Sequence, residues 1–371
     1  MTSEYKLRIK TPLSWTVTVA QPLTLAAEIT DFLSLDYLKV VNSPGQLEFV
    51  LSGDHAAIQY LVNLAVVEVW RRNVDESIAW YRDFVGIFRD EERNYKDRKK
   101  RFHAKIPGIM SMLGWRVINW SANTTDRSVF TNKMAKYIVD KMVDYNISGN
   151  ATVANSRKRE GRIPYIVDIV GDNGASGIDF PCFGDVLLEA IQKVVTIGDC
   201  DFDLEFDGTD SWFDVHIYDG QLGTDRSASV QFNLLFGNMA EPTYSMDRSI
   251  EKTVACVWGK GEESAREYVT RTGDNYSLNN DVEVFVDGSQ RDTAAGYNAI
   301  GDQKLKEYKA TDNLEFDVLQ TPASLYGKHY FLGDRITGVY DDVTKVLKIT
   351  SVAIGFDGAR EKISVGMDNR L

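Results

Sequence analysis

Several groups of residues in this 371-residue chain could do chemistry, and none has the spacing its chemistry requires. Gly171-Asp172-Asn173-Gly174-Ala175-Ser176-Gly177 follows a strand pattern and precedes a helix pattern, as a phosphate-cradling loop would. Its glycines recur every third residue, no Gly-Lys-Ser/Thr follows, and Pro181 separates the last glycine from the helix. The loop is too long to deliver phosphate to a helix N-terminus and reads as a connection. Asp203, Glu205, Asp207, Gly208 and Asp214 place acids at positions one, three, five and twelve of a calcium-type loop. Phe202, Leu204 and Phe206 alternate with those acids, however, which is the period of a strand with one wet face. His55, His103, His216 and His329 form no metal-spaced pair. No Gly-x-Ser-x-Gly elbow is present, and 54 Asp and Glu residues supply accidental acid pairs without marking one. Cys182, Cys200 and Cys256 are an odd, sparse set that reads as free thiols of a reducing compartment. No catalytic residue, cofactor or metal is assigned.

The elements that would have to position such groups are mostly strands. Tyr5–Ile9 and Ser14–Val19 alternate apolar and polar residues. Asn42-Ser43-Pro44-Gly45 is a turn before a strand at Gln46–Leu51, and Ala65–Arg71 with Ile78–Val85 reads as a strand pair. Arg89–Arg101 is charged and reads as an exposed connection or hairpin tip. Ile106–Gly114 reads as a short helix. Phe130–Tyr145 carries Met134, Ile138, Met142 and Tyr145 at helical spacing, and Phe183–Val195 has the same character. Asn146–Arg162 reads as a loop and Tyr165–Val170 as a strand. Cys200–Phe206 and Trp212–Tyr218 read as a hairpin around Asp207-Gly208-Thr209-Asp210. Strands are expected at Ala228–Phe232, Thr253–Trp258, Leu314–Leu319, Tyr330–Leu332, Arg335–Tyr340 and Val346–Ile354, with a helix at Asp292–Tyr308.

Composition bounds the class. A chain of this length, 43% hydrophobic and 26% charged, is a globular mixture of two or three domains with enough apolar surface for a core. No apolar run reaches membrane-span length, and Met1–Ser14 has no signal-peptide core. The net charge of -12 argues against a main task of gripping nucleic-acid backbone. It is compatible with a soluble surface, or with a channel wall that DNA must not stick to.

The last third carries a resemblance. Val257-Trp258-Gly259-Lys260-Gly261-Glu262-Glu263-Ser264-Ala265-Arg266 resembles the V-x-G-x-G-E-G-x-x-R stretch of siphovirus tail proteins, although Glu263 stands where that family often has glycine. Val284-Phe285-Val286-Asp287 is similar to the family's x-F-V-D segment, and Tyr330-Phe331-Leu332-Gly333-Asp334-Arg335-Ile336-Thr337-Gly338-Val339 to its Y-x-L-G-D-x-V-x-V segment. Asn42–Gly45 matches the N-x-x-G turn of the family's opening domain. The motif residues are Gly259, Gly261, Arg266, Asp287, Gly333 and Asp334, read as structural.

The resemblance implies a siphovirus tail-tip or baseplate-hub protein of β-rich α+β class. Two tail-tube-like β-barrel domains, at 1–120 and 245–371, would flank a mixed α/β middle domain at 121–244, with a helix inserted in the second barrel. It also implies a homotrimeric ring with pseudo-six-fold symmetry that closes or extends the tail tube in the virion. Its neighbours would be a distal tail protein, a tape measure protein and other tail-tip or receptor-binding proteins, with DNA only in transit. The protein would be made in the bacterial host cytoplasm. Some relatives carry a fused cell-wall hydrolase, and we expect none within this chain. A tail-associated hydrolase, marked by convergent acids or zinc ligands, is the first alternative. A carbohydrate-binding receptor protein, marked by an exposed aromatic platform, is the second. Trp15, Trp70, Trp80, Trp115, Trp120, Trp212 and Trp258 are spread along the chain and read as core or interface.

Overall fold

The structure, a computed structural model, describes residues 3–14, 21–120, 127–171, 177–207, 212–289, 291, 293–358 and 360–368. The strand expected at Ser14–Val19, most of the Gly171–Gly177 loop and the tip of the Asp207–Asp210 turn lie outside the described residues. In chain order the first strands are β1 (Ser3–Pro12), β2 (Leu25–Ile29), β3 (Ser34–Val40), β4 (Ser43–Ser52), β5 (Ala65–Asn73), β6 (Ile78–Ile87), β7 (Asp90–Lys96) and β8 (Lys99–Pro107). The middle of the chain contains β9 (Val129–Lys133), α1 (Ala135–Asn146), β10 (Ile166–Gly171), β11 (Ile178–Pro181), α2 (Leu187–Ile197), β12 (Cys200–Asp207) and β13 (Trp212–Asp219). Then come β14 (Gln231–Asn233), β15 (Met239–Asp247), β16 (Val254–Trp258), β17 (Tyr268–Thr272), β18 (Glu283–Asp287), α3 (Ala294–Glu307), β19 (Thr311–Val318), β20 (Arg335–Tyr340), β21 (Val343–Phe356) and β22 (Glu361–Asp368).

Three hydrophobic cores form among the described residues, and they do not follow chain order. The largest strand-rich core draws on both ends of the chain, from Tyr5, Leu7 and Phe49 to Phe316, Leu347 and Ile354. The reason is one strand pairing. β21 is fourteen residues long, and its second half pairs with β3 from Ser351↔Val40 to Phe356↔Leu35. Its first half pairs with β20, while β22 runs along it from Lys348 to Phe356. Lys348 is opposite both Arg335 and Asp368, so β20 and β22 lie on opposite sides of β21 there. β3 likewise faces β22 across β21, which puts β20 and β3 in succession on one side. The result is an eight-stranded sheet holding β3, β4, β7 and β8 from the first third of the chain and β14, β20, β21 and β22 from the last. A four-stranded sheet in the order β2-β1-β5-β6 supplies the other wall of this core.

A second core is built around α1 and α2, which present Ile138, Val139, Met142 and Leu187, Ile191, Val194 at helical spacing against β12 and β13. A third, small core belongs to β16, β17, β18 and α3, where Ala255, Val257, Val286, Tyr297 and Leu305 pack together. This unit is inserted between β15 and β19, which pair antiparallel from Met239↔Val318 to Asp247↔Thr311 and so bring its two ends together.

The protein is β-rich and α+β. Its sheets are open, with no closed barrel among the described residues, and the eight-stranded sheet ends at β7, whose residues DEERNYK are charged as exposed edges usually are. Several local expectations are corrected. Phe130–Tyr145 is a strand followed by a helix, because Asn132 takes a left-handed conformation (φ 52°) and Met134 is extended, so the helix starts only at Ala135. Ile109–Trp115 is a 3-10 helix whose buried face is Ile109, Met110, Met112 and Leu113. Tyr330–Leu332 is a bridge and turn, with both tyrosines of Tyr326 and Tyr330 buried. Arg89–Arg101, by contrast, is an exposed hairpin segment as expected, holding β7 and the tip of the β7–β8 hairpin. No helix of the described residues is long and apolar enough to cross a membrane.

Candidate functional site

Cross-strand register places Tyr5 on β1, Arg71 on β5 and Tyr81 on β6 side by side in one row. β22 brings Glu361 over that row from the other end of the chain. Arg71 donates from Nε and an Nη to the two Glu361 oxygens at 2.9 and 3.1 Å, in a forked pair. It also donates to Tyr5 Oη at 2.9 Å, Tyr81 Oη at 2.8 Å and the Tyr326 carbonyl at 3.2 Å. Tyr5 Oη and Ser3 Oγ complete the donors to Glu361. Beside this lies Asp83, which accepts from Tyr37 Oη at 2.6 Å, Lys39 Nζ at 2.8 Å and Tyr326 Oη at 3.1 Å.

Arg71 is 2% exposed, so its charge survives only because of these partners. Burial works against the Arg71 cation, yet the Tyr5 and Tyr81 oxygens and the Glu361 carboxylate hold its pKa above the ordinary value. Burial also works against ionised Asp83, and Lys39 and Tyr37 outweigh it, leaving the carboxyl below its usual range. Burial pushes Tyr81 up to about 12 and Tyr37 and Tyr326 well above the ordinary phenol, so all three remain hydrogen-bond donors at neutral pH. The arrangement can fasten. It offers no nucleophile poised against a base.

The motif residues fall into two places. Gly259, Gly261, Arg266 and Asp287 meet at the β16–β17 turn. There Arg266 Nε donates to the Gly259 carbonyl at 3.0 Å, and an Arg266 Nη lies 3.9 Å from Asp287 Oδ1. A Cβ on Gly259 would stand 2.6 Å from the Tyr297 ring, so that position requires close backbone approach. Gly333 and Asp334 belong to a separate cluster. Gly333 has φ +86°, and a Cβ there would meet the Gly223 backbone nitrogen at 2.7 Å. Asp334, 2% exposed, accepts from Thr224 N at 2.7 Å, Arg226 Nε at 2.8 Å and Phe331 N at 2.9 Å, and so pins the loop before β14 to the start of β20.

The other candidates do not converge. Asp203 and Glu205 sit on β12 opposite His216 and Asp214 of β13, on paired strands instead of a metal-binding loop. Burial pushes Asp203 up to about 6, with Glu205 adding to the rise. His55 accepts from Ala57 N and lies 2.9 Å from Asp31, His103 contacts Asn94, and His329 accepts from Leu325 N. No cluster of three His, Cys, Asp or Glu side chains suited to a metal occurs among the described residues. All three cysteines are free, and burial pushes Cys182 and Cys200 up to about 12, which makes both poor nucleophiles.

The clamp around Arg71 escaped the sequence reading. The available signal was Glu68 and Arg71 within AVVEVWRRN, a strand whose apolar residues leave no wet face for them.

Relatives agree with this architecture. The family model described as Siphovirus ReqiPepy6 Gp37-like protein matches residues 20–366. No curated protein sequence matches the chain. Among solved structures, the 43 kDa tail protein of prophage MuSo2 from Shewanella oneidensis is similar over 100% of this chain and 99% of its own, at 10% identity and a TM-score of 0.65. Prophage tail protein gp18 from Listeria monocytogenes EGD-e is similar over 99% of this chain and 94% of its own, at 11% identity and a TM-score of 0.60. The E. coli c3393 protein, a type VI secretion component described as structurally similar to T4 phage tail proteins gp27 and gp5, is similar over 91% of this chain and 73% of its own, at 12% identity and a TM-score of 0.51. Matched by its model along nearly all its length and folded as phage tail proteins are, the chain belongs to the Siphovirus ReqiPepy6 Gp37-like family.

Proposed function

We propose that the chain is a structural baseplate-hub subunit at the tail tip of the virion and that three copies form its ring. The supporting observation is the eight-stranded sheet, which takes four strands from each end of the chain and joins them through β3 and β21. In this reading each strand-rich end contributes one tube-like unit to the shared sheet and core, and the helical unit lies between them in sequence. Three subunits present six such units, and a three-fold ring can then abut a six-fold tube. The buried Arg71–Glu361 clamp supports the same reading, because it keeps the two units in one fixed relation.

The open face of the eight-stranded sheet, which sets Asp36, Glu48, Lys105 and Lys362 beside the exposed Leu38, is the proposed wall of the DNA channel. Asp36 and Glu48 stand directly opposite one another on it, and Asp90 and Glu48 both neighbour Lys105. Burial, with Glu48 adding to it, holds Asp36 above the ordinary carboxylate range. Asp36, Glu48 and Asp90 would repel phosphate, and with Lys105 and Lys362 among them the face offers no continuous basic surface for DNA to grip. The distal tail protein and the tape measure protein are the proposed neighbours along the axis, and receptor-binding proteins the neighbours around it. A ring of this kind needs a head-to-tail interface that closes.

Quantitative mass spectrometry of purified virions, scaled to the tail-tube subunit, tests the copy number. Three copies per virion are expected. One or six copies, or absence from the particle, would refute the reading.

A further inference from the structure

The inserted unit has one covered face and one open face. α3 covers the side of its sheet that carries Ala255, Val257 and Val286. The other side carries Cys256 and Trp258 of β16, Tyr268 and Thr270 of β17, and Glu283, Phe285 and Asp287 of β18. Phe285 is 61% exposed and Tyr268 47%. Parallel register puts Phe285 beside Cys256 and Asp287 beside Trp258. The Trp258 and Tyr268 rings lie 4.6 Å apart, and the Tyr268 hydroxyl donates to Cys256 Sγ at 3.3 Å, which fixes both rings in place. Along β18 an acid, an aromatic ring and an acid alternate on the open face. Arg266 lies 5.9 Å from the Trp258 ring and 3.9 Å from Asp287.

At the edge of the eight-stranded sheet, the β7–β8 hairpin has the opposite character. Its tip, Tyr95-Lys96-Asp97-Arg98-Lys99-Lys100-Arg101, holds five basic residues and one acid in a chain of net charge -12. Asp97 and Arg98 form a two-residue turn with φ of 54° and 60°, so the tip is a tight, preformed projection. Tyr95 is 70% exposed. Lys100 pairs with Asp54 at 2.9 Å, whereas Arg98 and Lys99 are exposed and have no ion-pair partner among the described residues.

We propose that the β7–β8 hairpin of one copy docks on the open face of the inserted unit in a second copy. Arg98 and Lys99 would lie between Glu283 and Asp287 and over the rings of Phe285, Tyr268 and Trp258. A cation above an aromatic face is attracted by its quadrupole, and the flanking carboxylates add complementary charge. The two patches are different parts of one chain, so the contact is heterologous and runs head to tail, as ring closure requires. It also occupies the exposed β7 edge. This inference rests on the reading that copies of the chain assemble with one another.

Sedimentation velocity of the full chain, at about 0.05 M and about 0.5 M salt, reads the contact. Self-association is expected at low salt and dissociation at high salt. Arg98→Glu with Lys99→Glu, and separately Glu283→Lys with Asp287→Lys, should each weaken association about tenfold or more, and the chain carrying all four changes should recover it. Thermal melts establish that each variant is folded. A wild-type chain that stays monomeric at low salt overturns the proposal, as does loss of association without recovery in the four-fold variant. A wild-type face that takes up soluble glycan fragments through Phe285, without self-association, also overturns it and assigns the face to carbohydrate. A three-copy tip indifferent to both charge reversals removes this contact and leaves the ring standing. Charge-swap recovery in a tip without three copies does the reverse.

Discussion

Arg71→Met is the sharpest perturbation of the joint between the two ends of the chain. The side chain is 2% exposed and serves Glu361, Tyr5, Tyr81 and the Tyr326 carbonyl. Its removal strands a carboxylate and a buried carbonyl, and breaking a buried pair from one side costs about 3–5 kcal/mol. Glu361 keeps Ser3 and Tyr5 as donors and is itself partly exposed, which favours the lower end of that range. At roughly 2 °C per kcal/mol for a large cooperative unit, the apparent Tm should fall by roughly 6–10 °C. Hydrogen exchange should accelerate first in β22 and along β3 and β21, where the two ends meet. Differential scanning calorimetry of Arg71→Met, Glu361→Met and the double variant separates the pair from its surroundings. The double variant should be less damaged than the sum of the singles, with a coupling of about 1–3 kcal/mol, because it leaves no unpaired charge. Strictly additive losses, or a single-variant shift under about 2 °C, would refute the clamp as a fastener.

Asp203, raised to about 6 by burial, binds its proton more tightly folded than unfolded. Its stabilising effect is therefore present in acid and is lost as pH rises from about 4 through about 6. Asp203→Asn should raise stability by about 3 kcal/mol at pH 8 and by much less at pH 4, and parallel pH–Tm profiles of variant and wild type would contradict this. Asp334→Ala leaves two backbone amides and Arg226 without their acceptor and should cost about 3 kcal/mol in urea unfolding, and Asp334→Asn should recover only part of this, because Thr224 N uses one carboxylate oxygen while Arg226 and Phe331 N use the other. An alanine variant within about 0.5 kcal/mol of wild type would show that Asp334 does not pin its loop. Gly259→Val drives a side chain into Tyr297 and should impair folding or assembly, so a variant that folds and assembles normally would remove the close-approach argument. No hydrolysis of host cell walls is expected from the purified chain. Release of sugars or peptides, abolished by changing a single acid or cysteine, would overturn that.

Much of the local structure was legible because it is written in local periodicity. Tyr5, Leu7 and Ile9 alternate with Lys6 and Arg8, and β1 buries that apolar set. The Cys200–Phe206 and Trp212–Tyr218 strands pair as their patterns require. The Phe130–Tyr145 segment misled because Phe130 buries like a helix residue but lies on a strand paired with β11. The β3–β21 pairing has no local signature, since its partners lie some three hundred residues apart and each strand alone reads as ordinary alternation. The clamp was hidden for the same reason. Glu361 looks like a wet-face charge, and Arg71, on a strand with no wet face, shows no partner until the fold brings the two together. The side of the insert left open was not legible either: Trp258 sits in a strand pattern that reads as core or interface, and only α3, by covering one side, shows which side is left open.

A three-dimensional reconstruction of the assembled tail tip tests the central claim most directly. The account predicts a three-fold ring in which each subunit spans two of six tube-like positions, with the Asp36 and Glu48 face of the eight-stranded sheet toward the channel. A single copy on the axis, six copies each using one strand-rich end, or that face turned outward would contradict it.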